Sequence, residues 1–309
     1  MQWGGRGEIH FMTARMMTEN ARRPDPAERP SVPVDAAALD HLTDELLSLL
    51  SQGGPDRPSL KAVMESLERN VIAHNDMGLS IFSGADNVVA GNFIGTDITG
   101  NRALGNGGGI GIEQGVLRTR IGTNADGVSD ELERNVVSGQ GGIPGTGSVG
   151  IGIGGIDTVV AGNYVGIGAN GTTPLGNANY GVWVTGTAVG TRIGGTHEAE
   201  RNVVSANGAS GIHLVGGSGT TILGNFIGTD VSGTLDLGNS GDGVRIDNSS
   251  GNTIGGTVAG ARNIISGNNS DGVELRGISA SGNVVQGNYI GTTVDGMGSL
   301  GNAQNGVSI

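Results

Sequence analysis

The chain has 309 residues, of which 62 are glycine, 3% aromatic and 15% charged, with a formal charge of −12. Bulky and long solvated side chains are both scarce and no Gly-X-Y period exists, which excludes a helical bundle, a disordered acidic tail and a collagen-like array. Lys61 is the only lysine and cysteine is absent, so a basic surface for nucleic acid or anionic lipid, disulfides and thiolate metal sites are all excluded.

The opening stretch MQWGGRGEIHFMTARMMTENARRPDP has no apolar h-region and does not read as a signal peptide. No run of about 18 apolar residues exists, so no membrane-inserted helix is expected. Six of the eight prolines and six of the seven methionines fall within the first 77 residues, and residues 1–34 are expected to be poorly ordered. From Asp35, DAAALDHLTDELLSLL places Leu39, Leu42, Leu46 and Leu49 on one face, with Asp35 set to cap the first amides. This pattern predicts a helix, within a helical segment and linker over 35–68.

From residue 69 to 309 the chain repeats. Asn92, Asn163, Asn225 and Asn288 open the strings GNFIGTD, GNYVGIG, GNFIGTD and GNYIGTT at spacings of 71, 62 and 63, each followed 14 residues later by the Asn of an LGN. Between them stands a related unit, ERNVVSGQ, ERNVVSAN or ARNIISGN. Each period therefore holds two units of about 31 residues, and insertions around NADGVSDEL and GGIPGTGS lengthen the first. Three short Val/Ile runs bounded by Gly and Asn recur per unit, too short and too punctuated for helices.

A three-strand repeat of fixed length is satisfied by a coil in which each turn lays one strand on each of three parallel sheets, with rungs about 4.8 Å apart. The predicted fold is therefore all-β, a parallel β-helix of about seven to eight rungs. Stacked in register, Asn92, Asn135, Asn163, Asn202, Asn225, Asn263 and Asn288 are expected to form a hydrogen-bonded ladder. Alternation then turns Ile94, Val137, Val165, Val204, Ile227, Ile265 and Ile290 inward, and Phe93, Tyr164, Phe226 and Tyr289 outward beneath the loops that follow them.

The NVVxGNxIG, RNVISGN and GVxI units resemble those of the right-handed parallel β-helix repeat proteins, the pectate-lyase-like superfamily. The resemblance spans about residues 69–309 and implies right-handed coiling. It also implies that the helix from Asp35 caps one end of the core. The chain stops at Ile309 inside its last GVSI strand, as expected of a fragment, of a truncated gene, or of an end covered by a missing C-terminal domain or another subunit. The DPHE motif of alginate epimerases and the paired-Asp and GHG signatures of polygalacturonases are absent. So are G-x-S-x-G, HExxH, EF-hand, Walker A and RTX signatures.

One column carries chemistry. The third position of each GVxI strand must point outward, and it reads Ser80, Gly111, Gly152, Trp183, His213, Arg245, Glu274, Ser308, with Asp247 and Arg276 two residues beyond the charged pair. Trp183 is placed to stack on a sugar ring, and Arg245 or Arg276 to pair with a uronate carboxylate. His213 or Glu274 is placed to move a proton, with Arg245 alongside in the catalytic set. Two cross-rung ion pairs, Arg245 with Glu274 and Asp247 with Arg276, are also expected on this face. No metal site is predicted outright. Since lyases of the resembled superfamily use calcium, Asp242, Asp247 and Asp271 are the candidate Ca2+ ligands. These features point to a non-catalytic module of an extracellular or surface protein that contacts a polysaccharide or cell-surface glycan or acts as a rigid spacer. The alternative is a polysaccharide lyase or epimerase acting on an acidic glycan.

Overall fold

The computed structural model describes residues 69–141 and 148–309. The helix expected from Asp35, the ordering of residues 1–68 and most of the GGIPGTGS insertion lie outside them.

The described residues form a parallel β-helix. The first sheet stacks eight strands, from Asn70–Ile72 through Asn92–Ile94 and Phe226–Ile227 to Tyr289–Ile290. The second also stacks eight, from Met77–Ile81 through Val182–Val184, Ile212–Val215, Val244–Asp247 and Val273–Arg276 to Val307–Ser308. The third stacks seven, from Val88–Val89 to Val284–Gln286. Successive strands within each sheet are parallel and in register, as in Asn70↔Asn92 and Ile193↔Ile222. The NADGVSDEL insertion ends in a single helical turn, Asp130–Glu133.

Parity builds the core. Ile94, Val137, Val165, Val204, Ile227 and Ile265 are fully buried and Ile290 packs against them partly buried, as the alternation requires. Ile121, Val160, Ile193, Ile222 and Ile254 of the third sheet face the same interior. Each such side chain contributes about 1.5–3 kcal/mol by leaving water. Phe93, Tyr164 and Phe226 point the other way yet are also buried, in a second apolar cluster. The loops that follow them stack two rungs apart, through Ala169 N–H to Gly100 O (2.9 Å) and Val231 N–H to Gly171 O (3.0 Å). The Arg of each RN unit lies over the ring of the next rung, with Arg134 4.4 Å from the Tyr164 centroid and Arg201 4.3 Å from that of Phe226. The aromatic strings thus hold the loop ridge to the coil, and cation–π attraction adds to the packing.

The asparagine ladder is continuous. From Asn70 to Asn288 each Nδ2 donates to the Oδ1 of the next rung's Asn at 2.8–3.1 Å. The second Nδ2 proton goes to a backbone carbonyl, such as Ile193 O for Asn225 (2.9 Å). A second ladder, not anticipated from the sequence, runs through Asn75, Asn106, Gln140, Asn177, Asn207, Asn239, Asn268 and Asn302. At Gln140 the backbone N–H takes over the link to Asn177.

A third column begins the same way and stops. Asn252 bonds to Asn283 Oδ1 through both its N–H (2.9 Å) and its Nδ2 (2.8 Å). One rung earlier stands Thr220, whose N–H donates to Asn252 Oδ1 at 3.0 Å. Buried Thr191, Thr158 and Thr119 precede it, their hydroxyls without a hydrogen-bond partner. Asn is close to Thr in volume, and at position 220 its Nδ2 would donate to Asn252 Oδ1 as in the complete ladders. Thr220→Asn is therefore expected to stabilise the fold by about 1 kcal/mol. A chemical denaturation midpoint that fails to rise would count against ladder extension.

Candidate functional site

The second sheet builds the site. Val182 and Val184, Ile212 and Leu214, Val244 and Ile246, and Val273 and Leu275 are all buried, which turns the residue between each pair outward. Those residues are Trp183, His213, Arg245 and Glu274, and they stand opposite one another on successive strands, with Ser308 following. Val215, Asp247 and Arg276 form the neighbouring row. All six residues expected to form one face are thus brought together.

Of the two expected ion pairs, Arg245 with Glu274 is present and Asp247 with Arg276 is not. Asp247 does not pair with Arg276: its Oδ2 accepts both from His213 Nε2 and from Arg245 Nε, each at 2.9 Å. Glu274 lies between the two arginines, 3.7 Å from Arg245 Nε and 3.8 Å from Arg276 Nε. The reason is geometric. Arg245 and Asp247, two apart on one strand, share a face, and Asp247 also reaches its diagonal neighbour on the adjacent strand. The result is one chain, His213, Asp247, Arg245, Glu274 and Arg276, in which each carboxylate is shared by two partners.

His213 points outward yet is only 5% exposed. The ring of Tyr180 lies against it, centroids 4.5 Å apart, and stands 6.4 Å from the Trp183 ring. Burial holds the His213 imidazole below its ordinary value despite the pull of Asp247. It is therefore neutral at pH 7, and the proton on Nε2 points at Asp247. His213 Nδ1 and Trp183 Nε1 are both sealed from solvent and have no hydrogen-bond partner. Burial opposes ionisation of Asp247, but hydrogen bonds from His213 and Arg245 outweigh it and keep the carboxyl below the usual carboxylate range. Glu274 moves the other way, raised by burial and then by the charge of Asp242.

Tyr180 was not singled out in the sequence. It stands three residues before Trp183, in the row that continues as Ser210, Asp242, Asp271 and Asn305, and the aromatic at that offset is the signal that could have found it. Farther along this row, Asp242 Oδ1 accepts from Asp271 N–H (3.0 Å) and Asp271 Oδ1 from Asn305 Nδ2 (2.8 Å). The calcium candidates Asp242 and Asp271 therefore stand in a hydrogen-bonded row, and Asp247 in the ion-pair chain. Among the described residues, no group of three or more His, Cys, Asp or Glu is placed to hold a metal ion. Nor is any described helix long and apolar enough to cross a membrane. Compared with protein-family models, curated proteins and solved structures, the chain gave no match.

Proposed function

We propose that this chain is a non-catalytic β-helix module of a surface or extracellular protein, and that the face from Tyr180 to Arg276 engages a glycan. The resemblance of its repeats to the pectate-lyase-like superfamily supports the choice of ligand. The observation that carries the non-catalytic reading is the internal pairing of the face. Asp247 is occupied by His213 and Arg245, Glu274 lies between Arg245 and Arg276, and the free nitrogen of His213 is closed to solvent. A general acid or base must be free to take its substrate's proton, whereas here both carboxylates are engaged in ion pairs and the Tyr180 ring lies against His213. What the face offers instead is a half-exposed aromatic, Trp183, at one end and the exposed Arg276 at the other. Three rungs, roughly 14 Å, separate them, a span suited to a few sugar rings lying along the rod.

The His213–Asp247 contact favours a second reading, a lyase or epimerase in which Asp247 orients His213 for proton abstraction from an acidic glycan. One experiment separates the two: proton NMR of neutral and uronate polysaccharides incubated with the protein, with and without calcium. Broadened glycan lines with no new resonances are expected. New olefinic or altered anomeric signals would establish the enzyme instead, and unchanged spectra across the panel would refute glycan engagement.

A further inference from the structure

Two polar atoms on this face are buried without a partner, and their chemistry is complementary. The Trp183 indole N–H is only a donor. His213, with its Nε2 proton committed to Asp247, offers at Nδ1 only an acceptor. The two residues are opposite each other on adjacent strands, about 4.8 Å apart along the rod, and the Tyr180 ring contacts both side chains. Leaving both atoms unpaired in a buried setting is unfavourable, so a ligand group that satisfies both is strongly selected.

A hydroxyl can do so, because its oxygen accepts from the indole N–H while its proton is donated to His213 Nδ1. A carboxylate can accept from Trp183 but sets an oxygen lone pair against Nδ1. An ammonium meets the reverse conflict at the indole N–H. We infer that Tyr180 covers a subsite for a neutral sugar hydroxyl, held between the Trp183 indole N–H and His213 Nδ1. This rests on the glycan-binding reading above and specifies it: at this end of the face the preferred unit is neutral rather than a uronate carboxyl.

The subsite is also pH-dependent. The charged groups facing His213 are Asp247, Arg245 and Asp242, all at or just before the strand Val244–Asp247, while the opposite side presents the rings of Tyr180 and Trp183. A second proton on the imidazole occupies Nδ1 and removes the acceptor. Because burial lowers the His213 midpoint, the subsite is complete at neutral pH and is lost in acid.

The test uses cellohexaose and xylohexaose as neutral probes and hexagalacturonate as the acidic one, titrated into the full chain at pH 7.5 and pH 4.5. The Trp183 indole N–H is followed by NMR and the affinity, in the unaltered protein and every variant, by isothermal titration calorimetry. The expected result is a shifted indole N–H with a neutral probe at pH 7.5, binding at least tenfold weaker in Trp183→Phe, and a comparable loss at pH 4.5. Tyr180→Ala, checked by melting temperature, should bind the same probe faster. An indole N–H that stays in place in the unaltered protein while a probe binds, or a Trp183→Phe affinity within twofold, overturns the hydroxyl subsite and leaves the glycan face standing. Failure of all three probes to bind sinks both.

Discussion

Gly194→Ala is expected to destabilise the coil by roughly 3–5 kcal/mol, adding an overpacking clash to left-handed backbone strain. Gly194 ends the strand Arg192–Gly194 with φ +82. A Cβ there would run into the backbone carbonyl of Leu223 on the next rung and come within 2.5 Å of Asn225 Oδ1. That carbonyl is fixed by Gly195 N–H at 3.0 Å, and the amide is fixed by its ladder, so neither can yield cheaply. Gly115 supplies the control, because its φ is +85 and nothing lies within 4 Å of its added Cβ. Gly115→Ala should therefore cost only the strain, about 1–2 kcal/mol. Guanidinium denaturation of the two variants separates the contributions. Equal midpoints would show that the rung-to-rung approach is looser than the structure requires.

That contrast marks what the sequence could and could not reveal. A fixed period with apolar residues at alternate positions defines the strands, the inward set from Ile94 to Ile290, and the register that aligns Trp183, His213, Arg245 and Glu274. The first ladder was legible because its Asn always opens its strand or stands immediately before it. The second was hidden by a variable offset. Its members follow the first-ladder Asn by five residues in the RN units, as in Asn202 to Asn207, and by 14 in the GN units, as in Asn225 to Asn239. The longer units carry the extra loop that covers the aromatic ring, and Gln140 replaces Asn in one rung, so the shared role is not visible as a shared spacing. Register also stops short of side-chain pairing. It sets Asp247 opposite Arg276, whereas the choice of His213 and Arg245 depends on diagonal and same-strand reach. The cover provided by Tyr180 escaped for a related reason, because that residue precedes its strand and no parity rule says where its ring falls.

The second large effect concerns the ladder itself. Asn225 Oδ1 accepts from Asn202 N–H (3.2 Å) and Asn202 Nδ2 (2.9 Å), and its Nδ2 donates to Asn263 Oδ1 (3.1 Å) and Ile193 O (2.9 Å). Asn225 is fully buried, so water cannot replace these bonds. Asn225→Ala removes all four and leaves the Asn202 donors facing a void, at a cost of about 3 kcal/mol. Asn225→Asp keeps the shape and the acceptor for Asn202 but replaces the Nδ2 donor with oxygen. That oxygen then meets Asn263 Oδ1 and Ile193 O, two acceptors, in a setting that also opposes charge. The near-isosteric variant should therefore be at least as damaging as the truncation at neutral pH. It should recover partly in acid, where a protonated carboxyl can donate to one of the two. If Asn225→Asp instead matches the unaltered protein at pH 7, hydrogen-bond polarity does not hold the rungs in register, and shape alone must do so.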